Sequence, residues 1–301
     1  MRITSDWHIH SRNSCDSACM TMADLMAETP ALGVTDFGVT DHLHTPFNLP
    51  DIVNSRKEYL ASTPSPRFHF GVEVSSVSKW EIDEIRTGAH KDPVYGLRSG
   101  GKPDCELAIG LTEEDIAANG IEYVVGGTHW PMYVPFERDA VIRDYHRQNM
   151  FLAAHPLVDI VAHPWWWMGH WADEKGRFNG EPWFDDLTHI PQSMHDEFAK
   201  AAREHGTAVE INISAILLNP YYPEHFARQY LEYVAYLKQA GVSLSIGSDC
   251  HSAHYSKMNF GPAVRMLDSI GIRDEDLWKL PPLRTGGAAI RVTTARGENV
   301  P

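Results

Sequence analysis

Cysteine is scarce: Cys15, Cys19, Cys105 and Cys250 are all that 301 residues contain. Four thiols without paired CxxC spacing make neither a disulfide framework nor a zinc knuckle, so free thiols are expected. Positive charge is also short. Lys plus Arg number 26 against 40 Asp plus Glu, a formal charge of −14. That argues against a surface neutralising nucleic-acid phosphates and suits a protein that gathers cations. No apolar run is long enough to span a bilayer, and the opening MRITSDWHIH has charges and histidines where a secretory signal needs an apolar core. A cytoplasmic protein with neither a membrane nor a nucleic-acid partner is the expectation. There is no dinucleotide glycine fingerprint, internal repeat, low-complexity tract or linker, so residues 1–301 read as a single domain.

Histidine, in contrast, is abundant. Seventeen in 301 residues is more than twice the roughly 2% of average composition, and with no polyhistidine run a site is favoured over a tag. Seven β-branched or apolar runs, each with a polar end, read as strands: 3–10, 38–44, 68–75, 122–130, 159–164, 208–214 and 243–251. Apolar residues at three- and four-residue spacing predict helices over 22–32, 193–205, 223–240 and 262–270, with Gly206, Gly241 and Gly271 placed as C-caps. Strand followed by helix, repeated, implies parallel strands with helical crossovers. A count near seven favours a distorted (β/α)7 barrel, similar to a TIM barrel, over an open sheet. Two stretches, 76–120 and 165–190, are long excursions after a strand, and excursions of that length are usually functional.

The chemistry lies at the strand ends. Asp6-Trp7-His8-Ile9-His10 ends the first run, and strand alternation puts Asp6, His8 and His10 on one face. In isolation, two buried histidines satisfied by hydrogen bonds would look the same. Gly247-Ser248-Asp249-Cys250-His251 repeats the pattern at the last strand, with Cys250 turned away. His42 and His44 share a face of the second run, and Glu73 sits inside an apolar strand where an unpaired carboxylate is costly. His129 and His163 each end an apolar run. The sixth run instead offers Glu210, Asn212 and Ser214, either orienting ligands or filling a barrel mouth.

The ordered set HxH, TDH, GxE, a strand-end His, AHP and DxH resembles the PHP family, named for polymerase and histidinol phosphatase, and runs from His8 to His251. The resemblance implies a distorted seven-stranded barrel with two to three divalent ions (Zn, Mn or Fe). It places one ion on His8, His10, Glu73 and Asp249, with Glu73 bridging to a second on His129 and His163. A third would take His42, His251 and the His or Asp that follows HxH, here Asp16. Glu73, Asp249 and His251 would be the catalytic residues. Adjacent ions lower the pKa of a water and hold phosphoryl oxygens.

For substrate contact, Arg12 lies beside the first motif. Lys79, Arg86, Lys91, Arg98 and Lys102 lie in the first excursion, and Arg138 and Arg143 follow His129; charge runs of this kind usually mark a solvated face. Trp165-Trp166-Trp167 follows His163-Pro164, and Trp165 is expected as a pocket wall for a small molecule with a ring or apolar body. The leading expectation is a phosphatase of a small organic phosphate, histidinol-phosphate-like or nucleotide monophosphate. Hydrolysis of an amide or ester bond is the alternative, because metal-activated hydroxide also attacks carbonyls.

Overall fold

The computed structural model describes residues 1–16, 18–167, 186–220 and 222–281; most of the tryptophan-rich excursion expected over 165–190 lies outside them. Strands β1 (Ser5–Asp6), β2 (Asp36–Val39), β3 (His42–Leu43), β4 (Phe68–Ser75), β7 (Tyr123–Gly127), β8 (Ile160–Ala162), β9 (Ala208–Asn212) and β10 (Leu244–Gly247) run parallel. Their order around the sheet is β1-β2-β4-β7-β8-β9-β10, with β3 continuing the line of β2 along β4. Backbone bonds join the ends of this path: Trp7 N–H donates to Ile246 O (2.9 Å), Asp249 N–H to His8 O (2.7 Å) and His10 N–H to Cys250 O (3.2 Å). With β2 and β3 counted as one interrupted strand, the barrel has the seven strands expected.

The strands are shorter than their apolar runs. β1 is two residues long, and the second run breaks at Thr40–Asp41, where the Asp41 side chain holds the loop after β1 while its carbonyl still accepts the Glu73 N–H. The Asp41 carboxylate accepts from Ser11 N–H (2.6 Å), Ser11 Oγ (2.7 Å) and Ser55 Oγ (2.5 Å).

Around the barrel lie α1 (Met22–Glu28), α2 (Leu49–Ala61), α3 (Lys79–Arg86), α4 (Glu113–Asn119), α5 (Arg138–Ala154), α6 (Gln192–His205), α7 (Glu224–Gln239) and α8 (Gly261–Ser269). The four with clear apolar spacing are α1, α6, α7 and α8, and α6 ends at a left-handed Gly206. The excursion over 76–120 is not irregular: it holds α3, α4 and an antiparallel pair, β5 (Val77–Ser78) with β6 (Leu107–Ala108). No helix among the described residues is long and apolar enough to cross a membrane.

Alternation along each strand sorts two cores. Phe68, Phe70, Val72, Val74, Val124, Val161, Val209 and Ile211 face the helices, while Trp7, Tyr123, Val125, Ile160, Ala162 and Ala208 fill the barrel. Gly71 and Gly38 are required here, since a Cβ on either would come within 3 Å of the Tyr123 ring or hydroxyl.

Candidate metal centre

The first and last strands meet at a parallel bridge between Ile9 and Cys250. Both are buried in the outer core, so the residues flanking them turn the other way, into the mouth of the barrel. His8 and His10 thereby converge, Nε2 to Nε2 at 3.0 Å. Asp249 Oδ1 lies 3.5 Å from His8 Nε2 and 3.3 Å from His10 Nε2. Asp6 does not join them. Its carboxylate takes Ser248 N–H (2.9 Å) and the Tyr255 hydroxyl (2.6 Å), because the alternation breaks after β1, where Trp7 fills the barrel and His8 next to it also turns inward.

β4 contributes the residue common to the sets. Glu73 Oε2 is 3.0 Å from His8 Nε2 and 3.4 Å from His10 Nε2. Its Oε1 is 3.0 Å from His163 Nε2 and 3.1 Å from His129 Nε2. A third set forms at the rim, where Asp16 Oδ2 is 3.2 Å from His42 Nε2 and 2.5 Å from His251 Nε2. The His10 ring stacks on His251 at 4.1 Å. The structure thus gathers His8, His10, Asp16, His42, Glu73, His129, His163, Asp249 and His251 into one cluster, in which donor atoms lie within 4.8 Å of one another for His8, His10 and Asp249, for Glu73, His129 and His163, and for His10, Asp16, His42 and His251. His44, left open by the sequence, also stands within that reach of His42 and His129.

Three observations fit this cluster to cations. The Glu73 Oε2 and His129 Nε2 atoms are buried and make no hydrogen bond of acceptable geometry, although imidazole and carboxylate surround them. Gly127 leaves a cradle: a Cβ there would lie 2.7 Å from His129 Cε1 and 2.9 Å from both Glu73 Oε1 and His163 Cε1. The carboxylates are held in the ionised form that ligands need. Burial would raise the pKa of Glu73, but His8, His42 and His129 hold it well below the usual carboxylate range. Asp249 is held down against burial by His8, His10 and His251. The imidazoles divide: burial, reinforced by His251 and His42, pushes His10 down to about 3, and burial pushes His129 down to about 4. Against burial, Glu73 raises His8 and, with Asp16, takes His42 up to about 10, while Asp16 and Asp249 raise His251. A bound cation would take the place of those protons.

A surrounding layer orients the rings. Glu210 Oε1 pairs with His8 Nδ1 at 2.7 Å, and its Oε2 accepts the His163 N–H at 2.7 Å and the Asn212 amide at 3.0 Å. Asn212 also donates to Asp249 Oδ2 at 3.2 Å. On the polar face of the sixth run, Glu210 and Asn212 therefore orient the candidate ligands, while Ser214 lines the barrel mouth. On β4, Ser75 Oγ lies 2.7 Å from His44 Nδ1 and 2.8 Å from His129 Nδ1. Left-handed backbone at His163 (φ 29°), Trp165 (φ 69°) and Asp249 (φ 53°) is strain concentrated at the site.

The cluster opens into a cleft of about 470 Å³ whose lining includes His44, Arg98, Trp130, Trp166, Asp249 and His251. The two residues expected at the substrate lie elsewhere. Trp165 is 1% exposed and packs edge-on against His195, because the left-handed turn through His163 and Trp165 rotates the run so that Trp166 faces His163 at 5.0 Å. Arg12 pairs with Glu58 at 3.0 Å and does not line the cleft. Arg98, one of the basic residues of the first excursion, lines it instead.

No family model matches the chain. Among solved structures, the apo form of an Agrobacterium tumefaciens protein aligns with a TM-score of 0.44 at 10% identity, covering 92% of this chain and 91% of that one. A Xaa-Pro dipeptidase with methionine bound in its active site aligns with a TM-score of 0.41 at 14% identity, covering 90% and 71%. In sequence, the chain is 26% identical over 282 residues to a protein of Edwardsiella ictaluri (strain 93-146) named as a probable phosphatase, a similarity that covers 93% of this chain and 91% of the other.

Proposed function

We propose that this protein is a metal-dependent phosphomonoesterase of the PHP family, acting on a small organic phosphate ester. The observation that carries the reading is Glu73, whose Oε1 lies 3.0 and 3.1 Å from His163 and His129 while its Oε2 lies 2.8, 3.0 and 3.4 Å from His42, His8 and His10. One carboxylate shared by two donor sets is the arrangement an in-line displacement at phosphorus uses. The likeness to a protein named as a probable phosphatase supports the same reading.

His8, His10, Glu73 and Asp249 would hold one divalent ion, Glu73, His129 and His163 a second, and Asp16, His42 and His251 a third. Mixed imidazole and carboxylate ligation suits Zn, Mn or Fe. Bound ions of this kind supply Lewis acidity toward phosphoryl oxygens and bring the pKa of water toward neutrality. The chain's own residues fix the geometry. Glu210 and Ser75 set the rings of His8 and His129. His251 Nδ1 lies 3.0 Å from the Asp249 carbonyl, which presents Nε2 toward Asp16 on the cleft wall. Trp130 and Trp166 exclude water from one side of the cleft and offer a face to the alcohol portion of the ester.

The test is steady-state hydrolysis of a phosphate-ester panel by protein loaded with Mn or Zn, alongside elemental analysis. Phosphate release with two to three ions per chain is expected. Ions bound without turnover of any ester would overturn the reading, and release of amine or acid from non-phosphorylated substrates would assign amide or ester hydrolysis instead.

A further inference from the structure

The excursion between β4 and β7 contains a buried carboxylate remote from the ligand sets. Glu81, in the first turn of α3, is fully buried. The Ser78 hydroxyl accepts its N–H (3.0 Å), its Oε2 accepts the Tyr133 hydroxyl (2.6 Å), and its Oε1 accepts the Leu97 N–H. A Cβ on Gly96 would strike that same Oε1, so the loop passes directly over the carboxylate. A buried carboxyl is tolerated only when its partners compensate desolvation. Here the partners are a loop backbone and a tyrosine, and the result is a pinned segment ending at Arg98.

Arg98 adopts a left-handed φ of 56°, which a non-glycine residue takes only when its surroundings hold it there. Its Nε donates to the Tyr95 carbonyl at 3.2 Å, and its guanidinium lies 4.3 Å over the Trp130 ring. Burial pushes its pKa down to about 10, against the opposing effect of Glu81 and Tyr95. Among the described residues lining the cleft it is the only lysine or arginine. The Trp130 ring on which it packs is 5.7 Å from His129 and 5.3 Å from His44, centre to centre, so the guanidinium meets the cleft on an aromatic ring rather than on a ligand carboxylate.

We infer that Arg98 recognises a second anionic group on the substrate, a carboxylate or a further phosphate carried on the body of the ester and distinct from the phosphoryl group to be hydrolysed. The inference rests on the phosphoesterase reading. An arginine meant for the reacting phosphoryl would belong beside the carboxylate and imidazole donors, whereas one packed on the Trp130 ring addresses the body of a substrate lying along Trp130 and Trp166. The planar guanidinium fork matches both carboxylate and phosphate, and its desolvated position strengthens the pairing.

Three esters with one ring separate the possibilities: phenyl phosphate, 4-carboxyphenyl phosphate and 1,4-phenylene bisphosphate. The ion-loaded enzyme is expected to prefer one or both charged esters, which of the two identifying the anion. Arg98→Met is expected to lower kcat/KM on the preferred ester by about ten- to a hundredfold, the scale of hydrogen bonds to a charged group, through KM. Phenyl phosphate stays within about twofold, and Arg98→Lys restores part of the loss. Calorimetric titration with 4-carboxyphenylphosphonate and phenylphosphonate reads the same contrast without turnover, and thermal unfolding checks that each variant is folded. Equal losses on charged and uncharged esters, or no loss on either, would overturn the inference. If the enzyme hydrolyses no ester yet the charged phosphonate binds in an Arg98-dependent way, the phosphatase reading falls and the anion site stands.

Discussion

At the amino ends of the barrel strands, Trp7 meets Tyr123 at 5.5 Å and Trp278 at 5.0 Å, both edge to face, and the Tyr123 hydroxyl donates to the Trp7 carbonyl. At the carboxyl ends the same strands enclose imidazoles and carboxylates. The inner face of β4 runs from one environment to the other. His69 lies beside the aromatic plug, Gly71 makes room for Tyr123, Glu73 joins the ligand sets, and Ser75 orients His44 and His129. One end is built from burial, which stabilises, and the other from charge held out of water, which costs stability until a cation offsets it. The difference teaches that fold and site are separable along a single strand within two residues.

The comparison breaks most visibly at Glu73. Glu73→Gln is expected to reduce kcat/KM about 10³-fold, the scale of removing a preorganised electrostatic group, and to cut the ions per chain measured by elemental analysis. The unfolding midpoint of the metal-stripped protein should stay level or rise, and a collapse of that midpoint would show that the upper end also carries the fold. Tyr123→Ala is the converse. It should cost about 3–5 kcal/mol, as other large aromatic truncations do, seen as a lower urea midpoint, while the folded fraction keeps its full complement of ions.

Smaller effects sharpen the boundary. Glu210→Gln should weaken metal affinity about 10- to 100-fold, the usual cost of losing a carboxylate that orients a ligand histidine; competition with a fluorescent chelator reads it. At the lower end, burial opposes protonation of His69, but Glu122 at 2.9 Å and Asp36 at 3.1 Å raise its pKa above the ordinary value. Its contribution is therefore fully present below the unfolded histidine pKa near 6.5 and is lost as pH rises through the higher folded value. Because the group is partly solvated, about 0.5 kcal/mol is expected. The gap in denaturation free energy between the wild type and His69→Gln should shrink between pH 6 and pH 9, and a gap that widened would reverse the assignment.

The histidines were legible because strand ends announce themselves as apolar runs stopping at HxH, DxH or a lone His, and a parallel barrel aligns those ends. Asp16 is reachable only through the family resemblance, since the loop that presents it is held by Asp41, a task that nothing in the spacing of residues assigns to it. The α5 helix escaped notice because its inward face carries polar residues. Asp144 accepts the Met132 N–H, Gln148 donates to the Trp130 carbonyl, and Asn149 accepts from Thr128, so apolar periodicity is diluted where the helix supports the loop after β7. Trp166 rather than Trp165, and Arg98 rather than Arg12, line the cleft. Trp165 and Arg98 carry left-handed backbone at a non-glycine residue, and Arg12 is held by Glu58; composition and spacing carry no mark of either.

The Ile9 to Cys250 bridge bears on how the molecule comes to exist. His8 and Ser248 touch across 240 residues of chain, so the donors of the primary ion set are made at nearly opposite times during synthesis. A contact of such span cannot close until the last strand exists. The first histidine pair must therefore wait beside Glu73 until the last strand emerges, and an ion bound at full strength reports a completed barrel rather than seeding one.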